Sequence, residues 1–126
     1  MNEPPLMIDG SRVVEYSVFD RSVAPSGRVS VAVGGLPVDL NAIAGVIVAE
    51  NLVDGGFFLL HCNERWETLA AGHYPDRAAA RHSAEAAYSG LPARWTPFHE
   101  LSAEEAAEVE TIRTFLRQLA AEFPDQ

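Results

Sequence analysis

From Arg12 to Phe19 the chain alternates, with Val14, Tyr16 and Val18 on one side and Val13, Glu15, Ser17 and Phe19 on the other. A period of two is that of a β-strand. A loop with Pro25, Ser26 and Gly27 follows. Val29, Val31 and Val33 then repeat the alternation and predict a second strand, broken by Gly34-Gly35 and Pro37. Residues 38–44 fit either a short helical turn capped by Asp39 or an extended run, and the local sequence leaves both open. Gly45 to Val53 is rich in β-branched residues, as strands are. Asp54-Gly55 then predicts a tight type I′ hairpin, whose two central residues both need positive φ. In the next predicted strand, Gly56 to Cys62, the run Phe57 to Leu60 is apolar on both faces, which suits a central strand. Asn63-Glu64-Arg65 reads as a turn and Trp66 to Tyr74 as the returning strand, so Gly45 to Tyr74 forms a three-stranded meander.

After Pro75 the period changes. Asp76 is the expected N-cap of a helix rich in alanine, with Gly90 just past its end. Gly90 to Glu100 is a connector carrying Trp95 and Phe98. Ser102 and Glu105 form a capping box, and Val109, Ile112, Leu116, Leu119 and Phe123 repeat at 3-4-3-4 spacing up to Pro124. This stripe is expected to fold back on the sheet. The alternative is a dimer seam, so monomer and homodimer both stay open. Residues 1–11, with Pro4-Pro5 and Asp9-Gly10, read as a flexible arm. The expected fold class is α+β: one domain over residues 1–126, an antiparallel β-meander of about five strands covered by two C-terminal helices.

A chain of 126 residues should bury about two thirds of its unfolded surface and needs no disulfide or metal staple. With Cys62 as its one cysteine, no internal disulfide can form. The acidic start, Met1 to Pro5, is unlike a signal peptide, and no run reaches the ~18 apolar residues of a membrane span. A cytoplasmic protein without membrane contact is expected. The formal net charge is −9, and all nine basic residues are arginines. Such a chain repels phosphate backbones, so nucleic acid is not an expected partner. Glu100 to Gln126 concentrates seven carboxylates against two arginines, which fits a basic protein partner and fits a solvated helix face equally well.

The strand Phe57 to Leu60, the returning strand with Trp66, and the helix end Ala84-Glu85-Ala86-Ala87-Tyr88-Ser89-Gly90, with Trp95 beyond, form a pattern. It resembles that of small bacterial proteins with a hairpin–helix core and an Ala-Glu-x-x-Tyr signature. Some of these are similar to immunity proteins of polymorphic toxin systems. The resemblance spans Gly45 to Trp95 and implies a binding role. It carries no catalytic residues. His61-Cys62-Asn63 stands where the pattern has an acidic turn.

Residue chemistry gives little to a catalyst. If the turn is Asn63 to Arg65, Cys62 pairs with Trp66 and His61 with Glu67, and His73 lies about 20 Å from His61 at ~3.3 Å per residue. That excludes a shared metal. His61 and Cys62, being adjacent in a strand, point to opposite faces. The His82–Glu85 pair has the spacing of an oriented imidazole, but Arg81 competes for the same carboxylate. No serine elbow or phosphate loop is present. The expectation is therefore no catalytic residue, no metal and no cofactor. The candidates for a ligand or interface site are Trp66, Tyr74, Arg77, Arg81, His82, Glu85 and Trp95. Two functions compete: a non-catalytic protein-binding module, immunity-type or regulatory, and a small enzyme or ligand-binding domain. The second would hold a pocket between sheet and first helix, lined by Trp66, Tyr74, His82 and Trp95.

Overall fold

The computed structural model describes residues 1–27, 32–33, 36–91 and 94–122. In chain order the elements are β1 (Met7–Ile8), β2 (Ser11–Val18), β3 (Ala24–Pro25), β4 (Ala32–Val33), β5 (Leu36–Pro37), a 3₁₀ turn (Leu40–Ala42), β6 (Gly45–Asn51), β7 (Phe57–Cys62), β8 (Thr68–Tyr74), α1 (Arg77–Ala87), β9 (Tyr88–Ser89), β10 (Thr96–Pro97) and α2 (Ala103–Glu122). The main sheet is antiparallel in the order β1-β2-β6-β7-β8 and curls into a half-barrel, with β10 added to β2. The α+β meander is thus as expected. Its membership differs at one strand: β4 pairs only with β5, in a separate ribbon. Residues 29–31 of that expected strand, the Gly34-Gly35 break, Phe123 and Pro124 lie outside the described residues. Asp39 does cap a helical turn, accepting from the Asn41 backbone N–H, which decides the open choice at 38–44.

The two faces of the sheet bury different things. On one, Val46, Val48 and Leu59 meet Ala80, Ala84 and Ala87 of α1, and Tyr88 and Leu91 close the layer. Alanine both favours the helix and lets it approach the sheet closely. On the other, Val13, Ile47, Ala49, Leu60, Cys62 and Trp66 form a second cluster. A bulge in β2 between Val13 and Glu15 resets the alternation. Val13 joins Tyr16 and Val18 on the face away from α1, and Val14 joins Phe19 on the helix face. The strict alternation had put Val13 and Val14 the other way round.

The hairpins correct two expectations. Asp54-Gly55 does not form a two-residue turn: β6 and β7 are closed by the Asn51–Gly56 pair, and of the two residues only Gly55 has positive φ, at 79°. Asn51 and Asp54 each accept a backbone N–H two residues on, and these side chains stabilise the longer loop. The positive-φ pair is Asp9 (51°) and Gly10 (77°), which join β1 directly to β2. The turn after β7 also runs longer than expected. Asn63 Oδ1 accepts from the Arg65 and Glu67 N–H groups, Trp66 takes φ 59°, and Cys62 pairs with Thr68 across a bulge. His61 therefore faces Ala70 and His73 faces Phe58. These two histidines lie on opposite faces, so the exclusion of a shared metal stands on a different register.

Residues 1–11, read as a flexible arm, hold the sheet edge. Pro4 is buried, Val13 donates to the Leu6 carbonyl, and Trp66 Nε1 donates to the Asn2 carbonyl at 2.8 Å. At the other end, Asp76 caps α1 through the Ala79 N–H, and Ser102 and Glu105 cap α2 reciprocally. The α2 stripe folds back only in part. Val109 is buried, Arg113 reaches Glu50 at 3.2 Å, and Arg117 donates to the Leu52 carbonyl.

Candidate functional site

Four of the seven candidates, Arg77, Arg81, His82 and Glu85, lie on α1, and Trp95 of the connector joins them. One turn apart, Arg77 and Arg81 both lean toward Glu15 of β2, whose side chain is only 4% exposed. Arg77 Nη2 donates to Glu15 Oε2 at 2.9 Å, and this bond raises the Arg77 pKa above its ordinary value. Glu15 Oε1 lies 3.5 Å from Arg81 Nε, at ion-pair distance but without a hydrogen bond. A buried carboxylate is tolerated when it is paired in this way. Arg81 also lies over the Trp95 ring, 5.4 Å from its centroid. Trp95 Nε1 in turn donates to Glu85, so that carboxylate serves the indole. Arg77, Ala78, Arg81, His82 and Glu85 line a depression of about 450 Å³ on the flank of α1, turned away from Ala80 and Ala84.

The other two candidates lie elsewhere. The Tyr74 hydroxyl meets Ser83 Oγ at 2.6 Å and its ring packs under the helix. Trp66 lies on the opposite face of the sheet, edge-on to Tyr16 with ring centroids 5.8 Å apart. Trp66 therefore does not join Tyr74, His82 and Trp95 between sheet and α1. That interface is closed by Val46, Val48, Leu59 and the alanines, and Trp66 cannot reach it. A second depression of about 230 Å³, lined by Asp9, Ser11, Phe58, Leu60 and Ala71, lies on the other side of the sheet. Its polar groups are engaged, Asp9 with Thr68 and Ser11 with the Ile8 carbonyl.

Two groups escaped the sequence reading. Glu15 was visible only as a lone acid in an apolar strand; the signal was that it shares a face with Ser17 and Phe19. The other is a clamp: His99 Nδ1 lies 2.6 Å from Glu3 and its Nε2 2.9 Å from Glu105. Their separation in sequence hid it.

The nucleophile candidates are quiet. Burial pushes the Cys62 thiol up to about 12, so the thiolate is scarce at neutral pH. His61 is buried against the Tyr88 hydroxyl on the other face, and burial lowers it to about 4. Among the described residues no group of three or more His, Cys, Asp or Glu side chains could hold a metal ion. No described helix is long and apolar enough to cross a membrane.

The remaining surface of note is α2. Among its described residues only Val109 is buried. Phe115 is 58% and Leu119 37% exposed. At 100° per residue these two share a flank with Glu104, Glu108 and Glu122, all exposed. The fold thus defines an α+β half-barrel with one helix packed on it and a second held at its margin. Compared with known proteins, the chain matches no family model, no curated protein and no solved structure.

Proposed function

We propose that the chain is a non-catalytic protein-binding module that takes a basic partner on α2. The observation that carries this is the flank of α2, where exposed Phe115 and Leu119 follow exposed Glu104 and Glu108 along one stripe. Apolar anchors at i, i+4 spacing are how a helix docks on a partner's groove, and a ring of like charge beside them sets partner choice and encounter rate. The inert thiol and the withdrawn imidazole agree with a role without chemistry. The resemblance over Gly45 to Trp95 to small proteins, some of them similar to immunity proteins, points the same way, toward a binding role.

The test is affinity capture from the source cell with the native chain and a Phe115→Ala variant. A basic protein should be retained at low salt and released near 1 M salt, where the screening length falls to about 3 Å. Phe115→Ala should weaken that complex about thirtyfold, the effect of losing a central aromatic anchor. No retained protein at either salt, or one held equally by the variant, overturns the reading.

A further inference from the structure

The groove on α1 holds more hydrogen-bond donors than Glu15 takes up. Two guanidiniums share one carboxylate, Glu15, which takes a hydrogen bond from Arg77 and none from Arg81, so both keep N–H donors without an acceptor from it. The next acid along the helix, Glu85, accepts from the neutral Trp95 indole and brings its negative charge to the same groove. Each guanidinium carries five N–H donors, and Glu15 takes up only a few of them. Both side chains are still more than 40% exposed, and both line the groove beside His82. They are also held: Arg77 by its bond to Glu15, Arg81 between Glu15 and the Trp95 ring. Ordering a free arginine is a large part of the cost of binding through it, and here much of that ordering is already done.

From this geometry we infer that the groove of Arg77, Arg81 and His82 is a binding site for a carboxylate. Arginine forks match the planar, bidentate geometry of a carboxylate. The charge decides against phosphate. Glu85 lines the same groove, so a phosphate dianion meets about twice the repulsion that a carboxylate monoanion does, on a chain whose net charge is already −9. The carboxylate is either a small free acid or part of a peptide, at its C-terminus or on an acidic side chain. This site is separate from the α2 stripe and stands or falls without it.

The test is an NMR titration that follows the Trp95 indole N–H, at constant ionic strength held with sodium chloride. The probes are acetate, an acetylated tripeptide with a free C-terminus, an amidated tripeptide containing glutamate, and inorganic phosphate. A saturable shift with a carboxylate, absent with chloride, is expected. The tightest of the three carboxylate probes identifies the source. Arg81→Lys keeps a charge for Glu15 but loses the fork, and should weaken binding at least about tenfold. Glu85→Gln leaves the Arg–Glu15 pairs untouched and should tighten binding by removing a nearby like charge. No saturable shift, a phosphate that binds more tightly than every carboxylate, or an Arg81→Lys variant that binds as the native chain does, overturns the assignment.

Discussion

His61 is 5% exposed, with Nδ1 2.6 Å from the Tyr88 hydroxyl and the two rings tilted at 48°. Burial acts on both partners, lowering the imidazole from 6.5 to about 4 and raising the phenol. The neutral form is therefore the one the fold holds. For a base whose folded pKa is depressed, protonation favours the unfolded chain. The stabilising contribution is complete above pH 6.5 and disappears as pH falls through 6.5 toward 4. At about 1.4 kcal/mol per pH unit, the span is worth about 3 kcal/mol. A His61→Gln variant keeps a hydrogen-bonding partner for Tyr88 and removes the titration. Urea unfolding at several pH values should show the native midpoint falling steeply across that window and the variant's falling much less. Equal slopes would mean that His61 is not the group that destabilises the fold in acid.

At the scale of elements, the two Asp-Gly pairs explain what the sequence could and could not reveal. Both carry the same turn residues, yet only Asp9-Gly10 takes positive φ at both positions. The difference lies in what flanks them. Asn51 and Asp54 bind their own backbone and hold a wider loop, whereas Ile8 and Ser11 pair directly beside Asp9-Gly10. Periodicity, turn and cap residues and alanine content revealed the meander, both helices and the capping box, because these depend on local chemistry. They missed the β2 bulge and the register after His61, which tertiary packing sets. Trp66 shows why. A bulky residue at φ 59° costs about 1–2 kcal/mol, offset when the ring lies against Gly45 and its indole finds the Asn2 carbonyl. For the α1 site, the helix-borne residues were legible from their spacing, whereas Glu15 required knowing that a β2 side chain reaches Arg77 and Arg81. The N-terminal arm illustrates the same dependence on distant contacts. His99 is held between Glu3 and Glu105 and stacks beside Phe98, and the two carboxylates raise its pKa. A raised base stabilises below its ordinary value of 6.5, and that contribution fades as pH rises through the raised one. The protection factor of the Trp66 indole N–H, bonded to Asn2, should therefore fall as pH rises above 6.5 and through the raised His99 pKa. It should be flat across that range in Glu3→Gln. A native protection factor that does not move would show that the clamp does not hold the arm.

At the scale of the whole molecule, charge is distributed against self-association. The −9 chain places its exposed apolar pair, Phe115 and Leu119, on the flank that also carries Glu104, Glu108 and Glu122. If two copies met on this flank, each would bring that set of carboxylates to the seam. In an antiparallel two-fold pair the acidic first turns of one helix would approach Glu122 in the last turn of the other, and in a parallel pair the acidic first turns would face each other. A basic partner removes that repulsion; a second copy doubles it. Sedimentation at several concentrations should therefore find a monomer at low salt. Any dimer should appear only when salt screens the carboxylates, and Phe115→Ser should abolish it. A dimer that persists at low salt and survives Phe115→Ser would move the homotypic interface off this flank. One that persists at low salt but is lost in Phe115→Ser would make α2 a homotypic seam and take the stripe away from a foreign partner. A monomer that first self-associates with added salt, through Phe115, is the behaviour of a surface shaped for a cationic counterpart.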